Sequence, residues 1–578
     1  MGYPDAIPDC LPDGYGSGRE RRFLHMKGRK IVSTLLALLL FASLPVSALA
    51  ATWDIGNGDI TVNAGSGGQT VTQGSQVDVP DDAPVITGSS DEHSVTINAE
   101  KDQTANVTLS GVNIDTSTED KAAVSTNGEG NVSIELDGEN TLKSDEGHAG
   151  LEKNNGGKLT IADKDKNGKL TAEGGKYGAG IGGGDKGNGS DIAITGGEVK
   201  ATGGYGGAGI GGGENGDGSG ITISGDAKVN ATGGKRSAGI GGGDEGSGRD
   251  IEITGGKVTA SSKNAGAGIG GGDEGNGEDI TITGGEVKAS SENVGAGIGG
   301  GYKGDGKRIK ITDGTVDAAS DKGAGIGGGD DGNGENIAIS GGKVTAKSSK
   351  NGAGIGGGMW GKGKDITVSG DTKLKVQGGD EDHYDGAGAG IGDGGSRPKG
   401  STGGSPIPGA EVEPDTSGLT TNGSIEYYAP GADMEKDKPT STTTGKPTEP
   451  GKPTEPTEPT EPGKPTEPIE PAVPEQPEAE RGMDAPLYFI TDRDGRAVRC
   501  RAERKGGVLT VTVDEDFAVL TSSLSGMTAL RAQGIEKIIF VTNGAKTAVK
   551  LSTIISKLTA NGVFRLTHDG KAVTFTLG

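Results

Sequence analysis

Four aromatic side chains and two rows of carboxylates stand out against the glycine-rich background of this 578-residue chain. Aromatic residues make up only 3% of the sequence, so where they fall is informative. Tyr302 and Trp360 lie in the same kind of polar loop two repeat units apart, and Tyr177 and Tyr205 near equivalent corners of neighbouring units. An aromatic ring presents an apolar face and, in Tyr and Trp, a polar handle, which suits stacking on the C–H face of a sugar. Strands stack at about 4.8 Å, so two units predict about 10 Å between Tyr302 and Trp360, a spacing for alternate residues of a linear glycan. All four are candidate carbohydrate-binding residues. The plainer alternative is incidental surface aromatics, since any protein surface exposes many apolar atoms.

The first acidic row is Asp185, Glu214, Asp244, Asp273 and Asp330; the second is Asp191, Asp250, Asp279 and Asp365. Stacked at strand spacing, like charges repel, and calcium, which takes oxygen ligands, would relieve that repulsion. Asp185, Asp191, Asp244, Asp250, Asp273 and Asp279 are therefore candidate calcium ligands, and calcium (Ca2+) is the one candidate cofactor. Tyr302 and Arg308 interrupt the two rows, however, and solvated loops softened by salt explain them more simply. A third row, Lys200, Lys228, Lys257, Lys288, Lys343, Lys373 and Lys375, could attract acidic sugars, but Glu198, Glu286 and Asp317 dilute it.

Catalytic signals are weak. The carboxylates follow the repeat instead of converging, and the histidines His93, His148, His383 and His568 are scattered without a triad or zinc pattern. The stretch Gly178 to Gly183 matches a dinucleotide-binding fingerprint literally, yet no helix follows it, so its glycines read as tight corners. No catalytic residue is assigned; a polysaccharide lyase remains the third-ranked alternative, because fold does not fix function.

The element that must position these residues is a repeat. The phrase Gly-Ala-Gly-Ile-Gly-Gly-Gly recurs with its isoleucine at Ile181, Ile210, Ile240, Ile269, Ile298, Ile326 and Ile355, and in degraded form at Ile391. The intervals are 29, 30, 29, 29, 28, 29 and 36 residues, which means one structural unit stacked on itself. Within one unit, Gly266–Gly272 reads as a short strand and turn, and Asp273–Glu278 as a loop. Asp279–Thr283 and Glu286–Ser290 read as two further strands joined by Gly284-Gly285. Alternation turns Ile280, Ile282, Val287 and Ala289 to one side and Thr281, Thr283, Glu286 and Lys288 to the other. Three strands per turn around a thin aliphatic interior describe a mainly β fold, a parallel β-helix, whose stability is collective and whose ends need caps.

Five segments follow. Residues 1–50 read as a secretory signal, with Lys27, Arg29 and Lys30 before the apolar run Ile31–Leu44 and small residues Ala48 to Ala50 at the cleavage site; Met26 is the expected start. Residues 51–170 read as irregular coils forming a cap, and 171–394 as the regular repeat. Residues 395–484 read as a disordered Gly/Ser and Pro-Thr-Glu linker, and 485–578 as a small α+β domain. The formal charge of −24 argues against nucleic acid as a partner, since neutralising phosphates needs a basic excess. No stretch of the mature chain is long enough to span a membrane, and the chain is expected to be exported, extracellular or on the cell surface, and monomeric.

The order of phrases Asn106-Val-Thr-Leu-Ser-Gly-Val-Asn-Ile, Val132-Ser-Ile-Glu-Leu-Asp-Gly-Glu-Asn-Thr-Leu, Gly157-Lys-Leu-Thr-Ile and the repeated glycine phrase is also familiar. It resembles secreted carbohydrate-binding-domain proteins of Gram-positive bacteria, built as pectate-lyase-type right-handed β-helices, over about residues 53 to 394. The resemblance implies extracellular polysaccharide as partner, with calcium as a companion, but transfers no ligand residues. The leading expectation is a non-catalytic polysaccharide-binding β-helix; the alternative is a structural or adhesive rod presenting its C-terminal domain.

Overall fold

The computed structural model describes residues 50–382, 384–397, 405–445 and most of 488–577, in two compact units divided near residue 453. The signal segment, His383 and the Lys-Pro-Thr-Glu-Pro run lie outside the described residues.

The first unit is a parallel β-helix, wound as the repeat requires. A representative coil has strands Ile269–Gly270, Gly277–Ile282 and Glu286–Ser291. Each pairs in parallel with its counterparts one coil before and after, and the isoleucine strands supply eight strands of a 14-stranded sheet. Ile181, Ile210, Ile240, Ile269, Ile298, Ile326, Ile355 and Ile391 are in direct register and all 0% exposed, so the marker of the repeat is a core column. Val199, Val229, Val258, Val287, Val316, Val344 and Leu374 form a second column, and Ala201 to Ala346 a third. The alternation of Ile280, Ile282, Val287 and Ala289 inward is observed as expected.

The glycines after the isoleucine are set by geometry. Gly270 has φ +132°, and a Cβ there would stand 2.0 Å from the carbonyl oxygen of Gly299 in the next coil. No other residue fits so close to backbone.

One device was not read from the sequence. The side chains of Asn188, Asp217, Ser247, Asn276, Asp305 and Asn333 occupy one loop position, and each accepts the backbone N–H of its successor one coil on, at 2.7–3.3 Å. They form a ladder that satisfies loop amides which no strand could satisfy.

Both ends are closed. At the start, Ile60–Gly65, Gly68–Gln73 and Gln76–Pro80 form an antiparallel meander whose first strand joins the parallel ladder at Val95–Ala99. Gln69 and Gln73 side-chain amides donate to backbone carbonyls there, and Trp53 Nε1 donates to Asp81 at 2.9 Å. At the other end the structure corrects the linker boundary expected at 395. Residues 405–445 fold onto the last coil: Ser424–Tyr428 extends the ladder beside Lys373–Gln377, and Ser441–Thr444 pairs antiparallel to it. The Glu411 carboxylate accepts the N–H groups of Gly390 and Ile391 at 2.8 and 3.2 Å. An open final coil would expose ladder groups and core. The Gly/Ser/Pro-rich composition hid the alternation in Ser424-Ile-Glu-Tyr-Tyr that covers both.

The second unit has an antiparallel sheet of Phe489–Thr491, Phe517–Ser523, Val563–Asp569 and Ala572–Leu577. Beside it lies a mixed sheet of Arg501–Lys505, Val508–Thr512, Lys537–Val541 and Lys546–Lys550, with a short helix at Leu551–Ile555. Val511, Leu520, Phe540, Phe564 and Leu566 are buried in its core. Val563–Asp569 and Ala572–Leu577 pair as an antiparallel hairpin. No helix among the described residues is long and apolar enough to cross a membrane.

Candidate functional site

Each isoleucine strand is flanked by two loops that meet on one corner of the rod. The residue four positions after the isoleucine donates its N–H to the carbonyl four positions before the isoleucine of the preceding coil. The pairs are Glu214 to Tyr177, Asp273 to Arg236, Tyr302 to Ala265, Asp330 to Val294 and Met359 to Lys322, at 2.7–3.0 Å. The next residue along then takes a left-handed backbone, φ 56–69°, at Lys186, Asn215, Glu245, Glu274, Lys303, Asp331 and Trp360. All four aromatic candidates stand on these loops.

Their exposure differs. Tyr205 is 48% exposed and Trp360 39%, whereas Tyr302 is half-buried. Lys303 Nζ lies 4.7 Å from the Tyr302 ring centroid and Lys176 Nζ 4.4 Å from that of Tyr177. Trp360 Nε1 donates to Asp385 Oδ1 at 3.0 Å, and the Arg397 guanidinium lies 5.2 Å from the indole centroid. The simple two-coil spacing of Tyr302 and Trp360 needs correction. Tyr302 takes the place of Asp273 and Asp330, whereas Trp360 takes the next place, that of the left-handed Lys303. Tyr177 and Tyr205 are offset likewise, four and five residues before their isoleucines.

The two acidic rows have different physical causes. In the first, Asp244 and Asp273 are buried, and Arg236 joins them: Nη1 to Asp244 at 2.9 Å and Nε to Asp273 at 2.8 Å. Burial, with the charges of Asp273 and Glu214 adding and Arg236 opposing, lifts the Asp244 carboxyl to about 6. Asp330 is lifted further, to about 7, by burial and by Asp331, against the pull of Lys322. Asp185 is more exposed and pairs loosely with Lys186 at 3.7 Å. The second row, Asp191, Asp250, Asp279 and Asp365, shares φ values of 50–54°, and Gly220 and Asn336 fill the same place in other coils. Asp, Asn and Gly tolerate that conformation, so the second row answers a backbone demand. Asp279 also takes both Nε and Nη2 of Arg308 at 2.8 Å.

The six calcium candidates are not brought together. Arg236 fills the space between Asp244 and Asp273, a cation where a cation would have to bind, and Arg308 does the same at Asp279. Among the described residues no group of three or more His, Cys, Asp or Glu could hold a metal ion. This donor set does not fit calcium. Arg236 was missed; its signal is an arginine four residues before Ile240, where other coils carry Gly206, Ala265 or Val294.

The lysine row is two rows. Lys228 and Lys257 are register partners, as are Lys343 and Lys373, while Lys288 sits beside Asp317. Lys257 is paired to Glu286 at 3.0 Å. His148 Nδ1 lies 2.8 Å from the buried Glu152 carboxylate, and His568 is enclosed between the Thr542 and Thr547 hydroxyls, where burial lowers its pKa.

Seven segments, 166–185, 192–214, 221–244, 251–273, 280–302, 309–330 and 337–359, match the family model described as Beta helix repeat. No curated protein matches the chain, and no solved structure does. Each matched segment but the first begins on a core isoleucine of the second strand, and together they trace the coils whose columns the coordinates show. Residues 166–359 are thus built of beta-helix repeats.

Proposed function

We propose that the rod is an exported, non-catalytic polysaccharide-binding protein, and that it binds through the corner beside the isoleucine strands. The observation that supports this is the gathering of Tyr177, Tyr205, Tyr302 and Trp360 on that corner in a chain with only 3% aromatic residues. Neighbouring lysines and arginines supply donors for sugar hydroxyls. Each ring contributes about 0.5–1.5 kcal/mol beyond its buried area, so one contact is weak and a row along a rigid rod raises avidity. The signal-like Lys27 to Ala50 favours export.

The test is affinity electrophoresis of the full chain against a panel of neutral and acidic polysaccharides, with and without calcium. Retention by at least one polysaccharide is expected, insensitive to calcium removal. Substituting both Tyr205→Ala and Tyr302→Ala should weaken retention roughly ten-fold, from two stacking contacts. A chain that no polysaccharide retains is instead a projecting rod, and the proposal falls.

A further inference from the structure

The last coil differs from the others, and the difference points to one built site. Its interval is 36 residues instead of 29, and the extra length brings Tyr384 and Asp385 beside Trp360. Asp385, only 6% exposed, takes the indole N–H and fixes the ring. Tyr384, next to it, is 53% exposed. Gly386 donates to Ser396 O at 3.0 Å, Ile407 donates to the same oxygen at 2.7 Å, and Ile407 is 44% exposed. Arg397 follows Ser396, lies over the indole, and has its Nε 3.7 Å from Asp385 Oδ1. Among the described residues only Val77, Tyr205, Trp360, Tyr384, Ile407 and Val573 are large hydrophobics left exposed, and three of them stand on these hydrogen-bonded, adjoining segments.

Resting on the polysaccharide-binding reading, we infer that Trp360, Tyr384 and Ile407, with Asp385 and Arg397, form a dedicated subsite for a neutral, hydroxyl-rich sugar ring. The apolar trio offers a platform for the C–H face of a pyranose. Asp385 and Arg397 present an acceptor and a donor at its edge, the pair that vicinal hydroxyls satisfy together. Charge selects the class. The segments that carry the platform hold Asp330, Asp331, Asp380, Glu381, Asp382 and Asp385, against Lys322, Lys350 and Arg397. A uronate would bring its carboxylate into an acidic field, whereas a neutral sugar carries no such cost. Trp360 also keeps a left-handed backbone, φ 69°, at a place where other coils use Lys, Asn, Glu or Asp.

The chain has two tryptophans, and Trp53 is only 3% exposed, so acrylamide quenching of fluorescence in the full-length protein reports on Trp360. The probes are a neutral glucan or mannan hexasaccharide and a galacturonate hexasaccharide. Neutral oligosaccharide should shield the accessible fluorescence, and Tyr384→Ala should raise the concentration required by roughly three- to ten-fold, the loss of one stacked ring. Val77→Ala, at an exposed apolar side chain of the opposite cap, should leave that concentration unchanged. If neither probe shields Trp360 while polysaccharide still retains the protein, the subsite is overturned and the broader reading survives. Equal shielding by galacturonate, or indifference to Tyr384→Ala, overturns the assigned chemistry. If the wild-type chain is retained by nothing, both proposals fall.

Discussion

Replacing Gly270 by alanine should destabilise the rod far more than a methyl added to a loop glycine that has open space around it. The new Cβ would lie 2.0 Å from the Gly299 carbonyl oxygen, where ordinary contact begins at 3.4 Å, so the coils must part by 3.4 − 2.0 = 1.4 Å. That is near a third of the roughly 4.8 Å between stacked strands. The Gly271 N–H to Gly299 O bond at 2.9 Å and the Ile269 N–H to Gly297 O bond at 3.1 Å would not survive such a displacement. Two buried hydrogen bonds lost with their groups unpaired cost about 1–3 kcal/mol each. Forcing alanine into φ +132° adds about 1–3 kcal/mol, for a total of about 3–9 kcal/mol. Gly147→Ala is the control, because a Cβ there meets nothing within 4 Å and its φ is not positive. Urea unfolding followed by circular dichroism should move the midpoint strongly for Gly270→Ala and hardly for Gly147→Ala. Trypsin should cut the first at Lys263 or Lys288, where the stack is interrupted. Equal midpoints for the two variants would refute the claim that close backbone stacking holds the coils.

Asp330 gives the fold a pH dependence with a definite sign. Its folded pKa of about 7 lies above the ordinary 3.8, so the native state holds that proton more tightly than the unfolded chain. The stability linked to it is full below about pH 4 and is lost as pH rises through about 7. Asp330→Asn, which cannot ionise, should therefore be more stable than wild type at pH 8, by up to a few kcal/mol, with the difference shrinking towards pH 4. Denaturation at both pH values checks this, and an advantage that grows on acidification would reverse the argument. Breaking the side-chain ladder with Asn276→Ala should cost about 0.5–1.5 kcal/mol by leaving the Asp305 N–H without its acceptor at 2.9 Å. Asn276→Asp, which keeps an accepting oxygen, should recover most of that loss in the same denaturation assay.

The rod was legible because its signal is geometric and repeated. An isoleucine returning every 28–30 residues must stack on itself if the coil is regular, and Ile181, Ile210 and Ile240 do so without a register slip. The strands at Gly277–Ile282 and Glu286–Ser291 announced themselves by period-two alternation. The C-terminal closure did not, because Ser424–Tyr428 is a five-residue strand inside a tract whose glycine and proline content suggested a spacer. A single strand supplies no repeat to average over, and composition then outweighs pattern.

The functional corner was half legible, for a reason that lies in the chemistry of the repeat. A sequence column can be filled for its side chains or for its backbone, and the letters do not say which. Asp191, Asp250, Asp279 and Asp365 look like a ligand row, yet Gly220 in the same column betrays a demand for left-handed φ that aspartate and glycine both meet. Asp244 and Asp273 look equivalent to them and are not, since both are buried and bridged by Arg236, a residue outside every acidic column. Departures from a column are therefore more telling than the column itself. Trp360 interrupts a place held elsewhere by Lys, Asn, Glu and Asp, and the longer final coil brings Asp385 and Tyr384 to it. In a repeat fold, chemistry that occurs once has to be sought where the repeat is broken, and on this rod the deepest break lies at its last turn.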